Sequence, residues 1–121
     1  MVNEERHNSR DLRYSNWHRT LPNFCYAIDF DFVEWRKDRG IVAVLETALR
    51  DEKQTLCQQL ETKKFEIKVL GELSIQTNWK IYIVFHNEQL TTFWIFTVIN
   101  GNTKWWKTIG QTEYAKFIQE L

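Results

Sequence analysis

Residues 27–49, AIDFDFVEWRKDRGIVAVLETAL, limit the folds open to this chain more than any other stretch. Two apolar runs lie either side of Lys37-Asp38-Arg39-Gly40, a tight-turn signal, so they read as an antiparallel hairpin. Strand interiors normally exclude aspartate, yet Asp29 and Asp31 alternate with Ile28, Phe30 and Phe32. Pairing Lys37 with Gly40 and Arg36 with Ile41 sets Asp31 opposite Glu46 and Asp29 opposite Ala48. Directly opposed residues have Cβ atoms roughly 5 Å apart, and like charges there repel. Two carboxylates in that position need a neutralising partner. A divalent cation bound by oxygen ligands is the first candidate.

The remaining sequence supplies a frame for this hairpin. A pattern of helical type runs from Asn3 to about Leu21, with Leu12, Tyr14, Trp17 and Leu21 as expected core contacts, and Pro22-Asn23 ends it. Strands are expected over Phe24 to Trp35 and Ile41 to Leu49. Asp51 to Ser74 carries Leu56, Leu60, Ile67 and Leu70 near helical spacing and reads as a long helix with a break near Thr62. Gly71 within it permits close approach to the sheet. Lys80 to Phe85 and Thr92 to Ile99 are two further strands around a polar Asn87-Glu88 turn. Asn100-Gly101-Asn102 is another turn, Trp105-Trp106 begins a short edge element, and Thr112 caps a closing helix to Leu121. The order helix, strand, strand, helix, strand, strand, helix predicts an α/β fold: a mixed central sheet of about four to five strands flanked by helices. A right-handed crossover through the long helix sets the second and third strands parallel.

Composition excludes several function classes. The 121 residues, 43% of them hydrophobic, predict one domain over residues 1–121 with a real core. A formal net charge of zero excludes a cationic glove around nucleic acid and leaves only a local basic patch. Cys25 and Cys57 have no disulfide-framework spacing, which predicts a reduced, cytoplasmic protein. The leading MVNEERHNSRDLR has no apolar core, so no secretory signal is expected, and FWIFTVI is too short to span a bilayer as a helix. No glycine-rich phosphate loop and no zinc-spaced Cys or His set competes with the carboxylate hairpin.

The Asp31-FVEW segment, the basic turn and IVAVLE together resemble the signature of the PD-(D/E)XK nuclease superfamily, in particular its small Holliday-junction-resolvase-like members. Tyr14-Ser15-Asn16-Trp17-His18-Arg19 is similar to a segment of the same group. The resemblance implies a restriction-endonuclease-like core and a metal-dependent nuclease that hydrolyses DNA phosphodiester bonds with Mg²⁺ or Mn²⁺, working as a homodimer. It implies Asp31 and Glu46 as metal ligands and catalytic residues, the Thr47 main-chain carbonyl as a third ligand, and Glu5 as a further acid from the first helix. The family lysine falls at position 48, where this chain has Ala48. That lysine is thought to orient the attacking water, so its loss implies an impaired enzyme, a non-catalytic relative that binds nucleic acid or protein, or a substitute cation such as Arg50 or Lys53.

Secondary contributors are Asp29 and His18, and Arg10, Arg13 and Arg19 are the expected contacts to the DNA backbone. Each has a plainer reading. The aspartates suit the wet face of a half-exposed strand, His18 a cap or core contact, and the arginines a solvated helix face. Trp79, Phe85, Phe93, Trp94 and Phe96 are expected in the core, while Trp105 and Trp106 cannot both point inward from one strand.

Overall fold

A computed structural model describes residues 12–121. In chain order it contains α1 (Leu12–His18), β1 (Phe32–Arg36), β2 (Gly40–Leu49), α2 (Leu56–Glu61), α3 (Lys64–Gln76), β3 (Lys80–His86), β4 (Thr92–Ile99), β5 (Asn102–Gly110) and α4 (Gln111–Gln119). The strands form one sheet in the order β1-β2-β3-β4-β5. Only β2 and β3 are parallel, and α2 and α3 connect them, as the sequence predicts. The protein is therefore mixed α/β with a five-stranded mixed sheet. No helix among the described residues is long and apolar enough to cross a membrane.

Alternation along the strands divides the core between two faces. Val44, Ile81, Ile83, Phe85, Phe96 and Val98 pack with Leu70 of α3 on one side. Val84, Phe93, Ile95 and Ile109 pack with Tyr114 and Phe117 of α4 on the other. Gly71 brings α3 down onto the β4–β5 turn: a Cβ there would lie 2.9 Å from the Gly101 Cα. That turn, Asn100-Gly101, holds both residues at positive φ, the two-residue hairpin geometry matched to strand twist.

Several expected boundaries move. The first strand spans only Phe32–Arg36, so Asp29 precedes it in irregular chain and Asp31 sits at a bend. The hairpin pairs Arg36 with Gly40 and Trp35 with Ile41, one residue off the predicted turn. Arg39 donates its N–H to the Arg36 carbonyl and Gly40 sits at φ 76°, which is a three-residue loop closed by a left-handed glycine. A bulge at Val42 then restores Glu34–Ala43 and Phe32–Leu45, the pairings expected from the sequence, so the ladder still runs toward Asp31 and Glu46.

The expected long helix is two helices broken at Thr62-Lys63, where the Thr62 hydroxyl bonds the Gln59 carbonyl instead of leaving it to the ladder. Trp105-Trp106 belong to a nine-residue edge strand, with Trp106 the extra residue at a second bulge. Gly110 rather than Thr112 caps α4. On α1, Leu12, Tyr14 and Trp17 stay exposed and the helix buries none of its residues. Two strands precede the crossover among the described residues, as expected.

Candidate active site around Asp31 and Glu46

β2 carries Glu46 on the same face as Val44 and Ala48, turned toward α2 and α3 and only 8% exposed. A carboxylate held there requires a partner, because an unpaired charge in so dry a place is strongly disfavoured. Lys63 provides it: its Nζ lies 3.2 Å from Glu46 Oε1. The helix break makes this possible. Thr55 and Gln58 cap α2 reciprocally, α2 ends at Glu61, and the chain turns through Lys63 before α3 begins.

Asp31 approaches from the other side. β1 pairs with β2 no further than Phe32–Leu45, and beyond that point the Asp31 carboxylate takes over the ladder, accepting the Thr47 N–H at 2.9 Å. The Thr47 hydroxyl lies 3.5 Å from the same oxygen. In a strand the N–H and C=O of one residue point to the same side, so the Thr47 carbonyl shares the side occupied by Asp31. Burial, first, pushes the Glu46 carboxyl above its ordinary pKa, and the Asp31 charge adds to this. Lys63 opposes both effects by charge and by hydrogen bond, while Glu66 adds a further upward push.

Asp31 is thus hydrogen-bonded to Thr47 and its charge acts on Glu46, while the direct Asp31–Glu46 pairing expected from the sequence lies beyond the end of the ladder at Phe32–Leu45. Ala48 packs against the core cluster under α3 and has no partner in β1, so the expected Asp29–Ala48 opposition does not form. Asp29 is exposed in the segment before β1. His18 is half-buried against Tyr14, with ring centroids 6.4 Å apart, and makes no hydrogen bond to either carboxylate. Arg13 is exposed on α1, and Arg19 donates to Asn16 Oδ1 at 3.3 Å. Glu5 and Arg10 lie outside the described residues.

Arg50 is committed to its own loop. It donates to the carbonyls of Asp51 and Gln54 and to Gln59 Oε1, and lies 5.8 Å from the Trp94 ring, which ties down the loop after β2. The cation beside Glu46 is Lys63, and a signal for it was present in the sequence. Leu56, Leu60, Ile67 and Leu70 mark the buried stripe, and Lys63 falls on it, three residues after Leu60 and four before Ile67. A lysine on an apolar stripe predicts a buried acid opposite.

Among the described residues no three His, Cys, Asp or Glu side chains converge on one point. The Asp31 and Glu46 carboxylates and the Thr47 carbonyl are all hard oxygens. That set suits Mg²⁺ or Mn²⁺, which bind through one or two carboxylates and fill the remaining positions with water and phosphate. No protein-family model matches the chain, and no curated protein or solved structure is significantly similar to it.

Proposed function

We propose that this protein is a metal-dependent nuclease acting on DNA phosphodiester bonds, with Asp31 and Glu46 holding the cation and Lys63 supplying the charge absent at Ala48. The observation that carries this reading is the 3.2 Å contact between Lys63 and Glu46, beside an acid pair that one lysine does not neutralise. The Asp31 and Glu66 charges both oppose ionisation of Glu46 despite Lys63, and a hard cation at the Asp31–Glu46 pair would offset that repulsion. A bound Mg²⁺ or Mn²⁺ supplies charge neutralisation at the phosphate and a more acidic water. Asp31 is kept in place by the Thr47 N–H. Glu46 is fixed by the sheet behind it, and Lys63 places an ammonium where negative charge develops on the phosphate. The sheet and helix break are rigid supports of the kind such chemistry needs. A restriction-endonuclease-like arrangement of these elements, acting as a homodimer in the cytoplasm, completes the reading.

One observation favours a second reading. Asp31 is already satisfied by Thr47 and Glu46 by Lys63, so the site is hydrogen-bonded without any metal. A non-catalytic relative, binding nucleic acid or protein through this face, needs no more than that.

Nicking of supercoiled plasmid and cutting of linear duplexes with Mg²⁺ and Mn²⁺ separates the two. The chain should cleave, Asp31→Asn should abolish cleavage, and Lys63→Ala should lower it by about a hundredfold to a thousandfold. Moving the charge back to the strand in Lys63→Ala/Ala48→Lys should recover much of the loss. A wild-type chain inert on DNA and RNA with both metals overturns the nuclease reading in favour of the second.

A further inference from the structure

Aromatic groups beside the carboxylates bear on which nucleic acid the site meets. Tyr26 lies in the irregular segment leading to Asp31, and Phe65 in the first turn of α3. They are 53% and 58% exposed, with ring centroids 5.7 Å apart and planes tilted by 51°. Phe65 follows two residues after Lys63, the lysine bonded to Glu46. Tyr26 is tied to the same place: partial desolvation and then the Glu66 charge push its hydroxyl above the ordinary pKa, and Glu66 also opposes ionisation of Glu46. Two exposed lysines of α3 flank Phe65, Lys64 being also 3.9 Å from Glu61 Oε1 in an exposed pair. Lys64 Nζ lies 5.4 Å from the Phe65 ring centroid, and Lys68 is exposed one turn further along α3.

Exposed rings interleaved with lysines bind nucleic acid in a particular way. Bases stack on the rings through their π-faces, and the ammonium groups hold the phosphates. In a duplex those faces are covered by neighbouring bases, and exposing one requires unstacking it. A protein partner fits less well, since Lys64 and Lys68 would have to be desolvated at the centre of the interface, where lysine is depleted. We propose that Tyr26 and Phe65 form a stacking platform for an unpaired base, so that the adjacent site takes single-stranded nucleic acid or the single-stranded part of a branched one. The chemistry assigned to that site rests on the nuclease reading; the preference for unpaired bases rests on the exposed rings.

The test measures binding rather than turnover, by fluorescence anisotropy with Ca²⁺ in place of Mg²⁺. The probes are a short labelled oligothymidylate and a blunt duplex of equal length. The full chain should bind the single strand more tightly. Phe65→Ala and Tyr26→Ala should each weaken single-strand binding by about five- to a hundredfold while changing duplex binding little, and Phe65→Trp should retain it. Both positions are exposed, so circular dichroism of each variant should match the parent. Equal affinity for both probes, unchanged by Phe65→Ala, overturns the platform and leaves a duplex nuclease standing. Binding to neither probe overturns the platform and the nuclease reading together. A change in sedimentation of Phe65→Ala or Tyr26→Ala without a change in oligonucleotide affinity makes the face a contact between copies of the chain and also overturns the proposal.

Discussion

Replacing Lys63 with alanine tests the site at its most constrained contact. The Lys63 side chain is 18% exposed and that of Glu46 11%, with 3.2 Å between the charged atoms. Water therefore screens the pair weakly, and removing the cation leaves Glu46 charged, nearly buried and beside Asp31. The loss should be about 2–3 kcal/mol at pH 7, at the upper end for a hydrogen bond to a charged group and below the cost of breaking a fully buried pair. In urea denaturation this lowers the midpoint by about 1–2 M. The pH dependence follows from Glu46. Its folded pKa is already raised, and losing Lys63 raises it further, so the folded state binds a proton more tightly than the unfolded chain. The penalty is then largest at neutral pH, shrinks as pH falls through the folded pKa, and vanishes below the unfolded glutamate value of about 4.3. Glu46→Gln alone should cost less than Lys63→Ala, since the amide oxygen can still accept from Lys63 while burial of charge and repulsion from Asp31 are relieved. Lys63→Ala/Glu46→Gln should recover most of what Lys63→Ala loses. A cost for Lys63→Ala below about 0.5 kcal/mol, the range of ordinary surface changes, or a double variant no more stable than the single one, refutes the reasoning.

Two other outcomes check the packing around the site. Gly71→Ala improves helix propensity by up to about 1 kcal/mol, but its Cβ meets the Gly101 backbone at 2.9 Å, so thermal denaturation should show a net loss of about 1–2 kcal/mol; a melting temperature equal to the parent's would show that α3 does not rest on that turn. Burial, and secondarily the Glu34 charge, push the Tyr114 hydroxyl up to about 12, so ultraviolet titration should contain a component near that value that Tyr114→Phe removes. Because the unfolded chain ionises first, stability should fall as pH rises from about 10 toward 12.

Much of the architecture was legible in local pattern. The parallel pairing of β2 with β3 follows from an apolar strand, a helical stripe and another strand in succession, and the break near Thr62 and the contact made by Gly71 were both readable. β1 was overextended because Ile28 and Phe30 alternate with aspartates as strand residues do. That segment instead leaves the ladder, and the Asp31 side chain takes the hydrogen bond a neighbouring strand would have made. The aromatic residues of α1 followed a core-like spacing, yet spacing cannot say whether a partner element lies beneath them, and here Tyr14 and Trp17 are exposed.

The site divides the same way. By itself the sequence determined the Glu34–Ala43 to Phe32–Leu45 register that leads toward Asp31 and Glu46, because side-chain alternation and hairpin pairing are short-range and survive a one-residue error at the turn when a bulge corrects it. Which cation faces Glu46 was decided only by tertiary structure. Lys63 lies 17 residues away in the chain, and its reach depends on how the α2–α3 break is set over the sheet. The same packing commits Arg50 to its own loop. Charge compensation in a dry site is a property of distance in space, and the distance from Lys63 to Glu46 exists only once the helices lie across the strands.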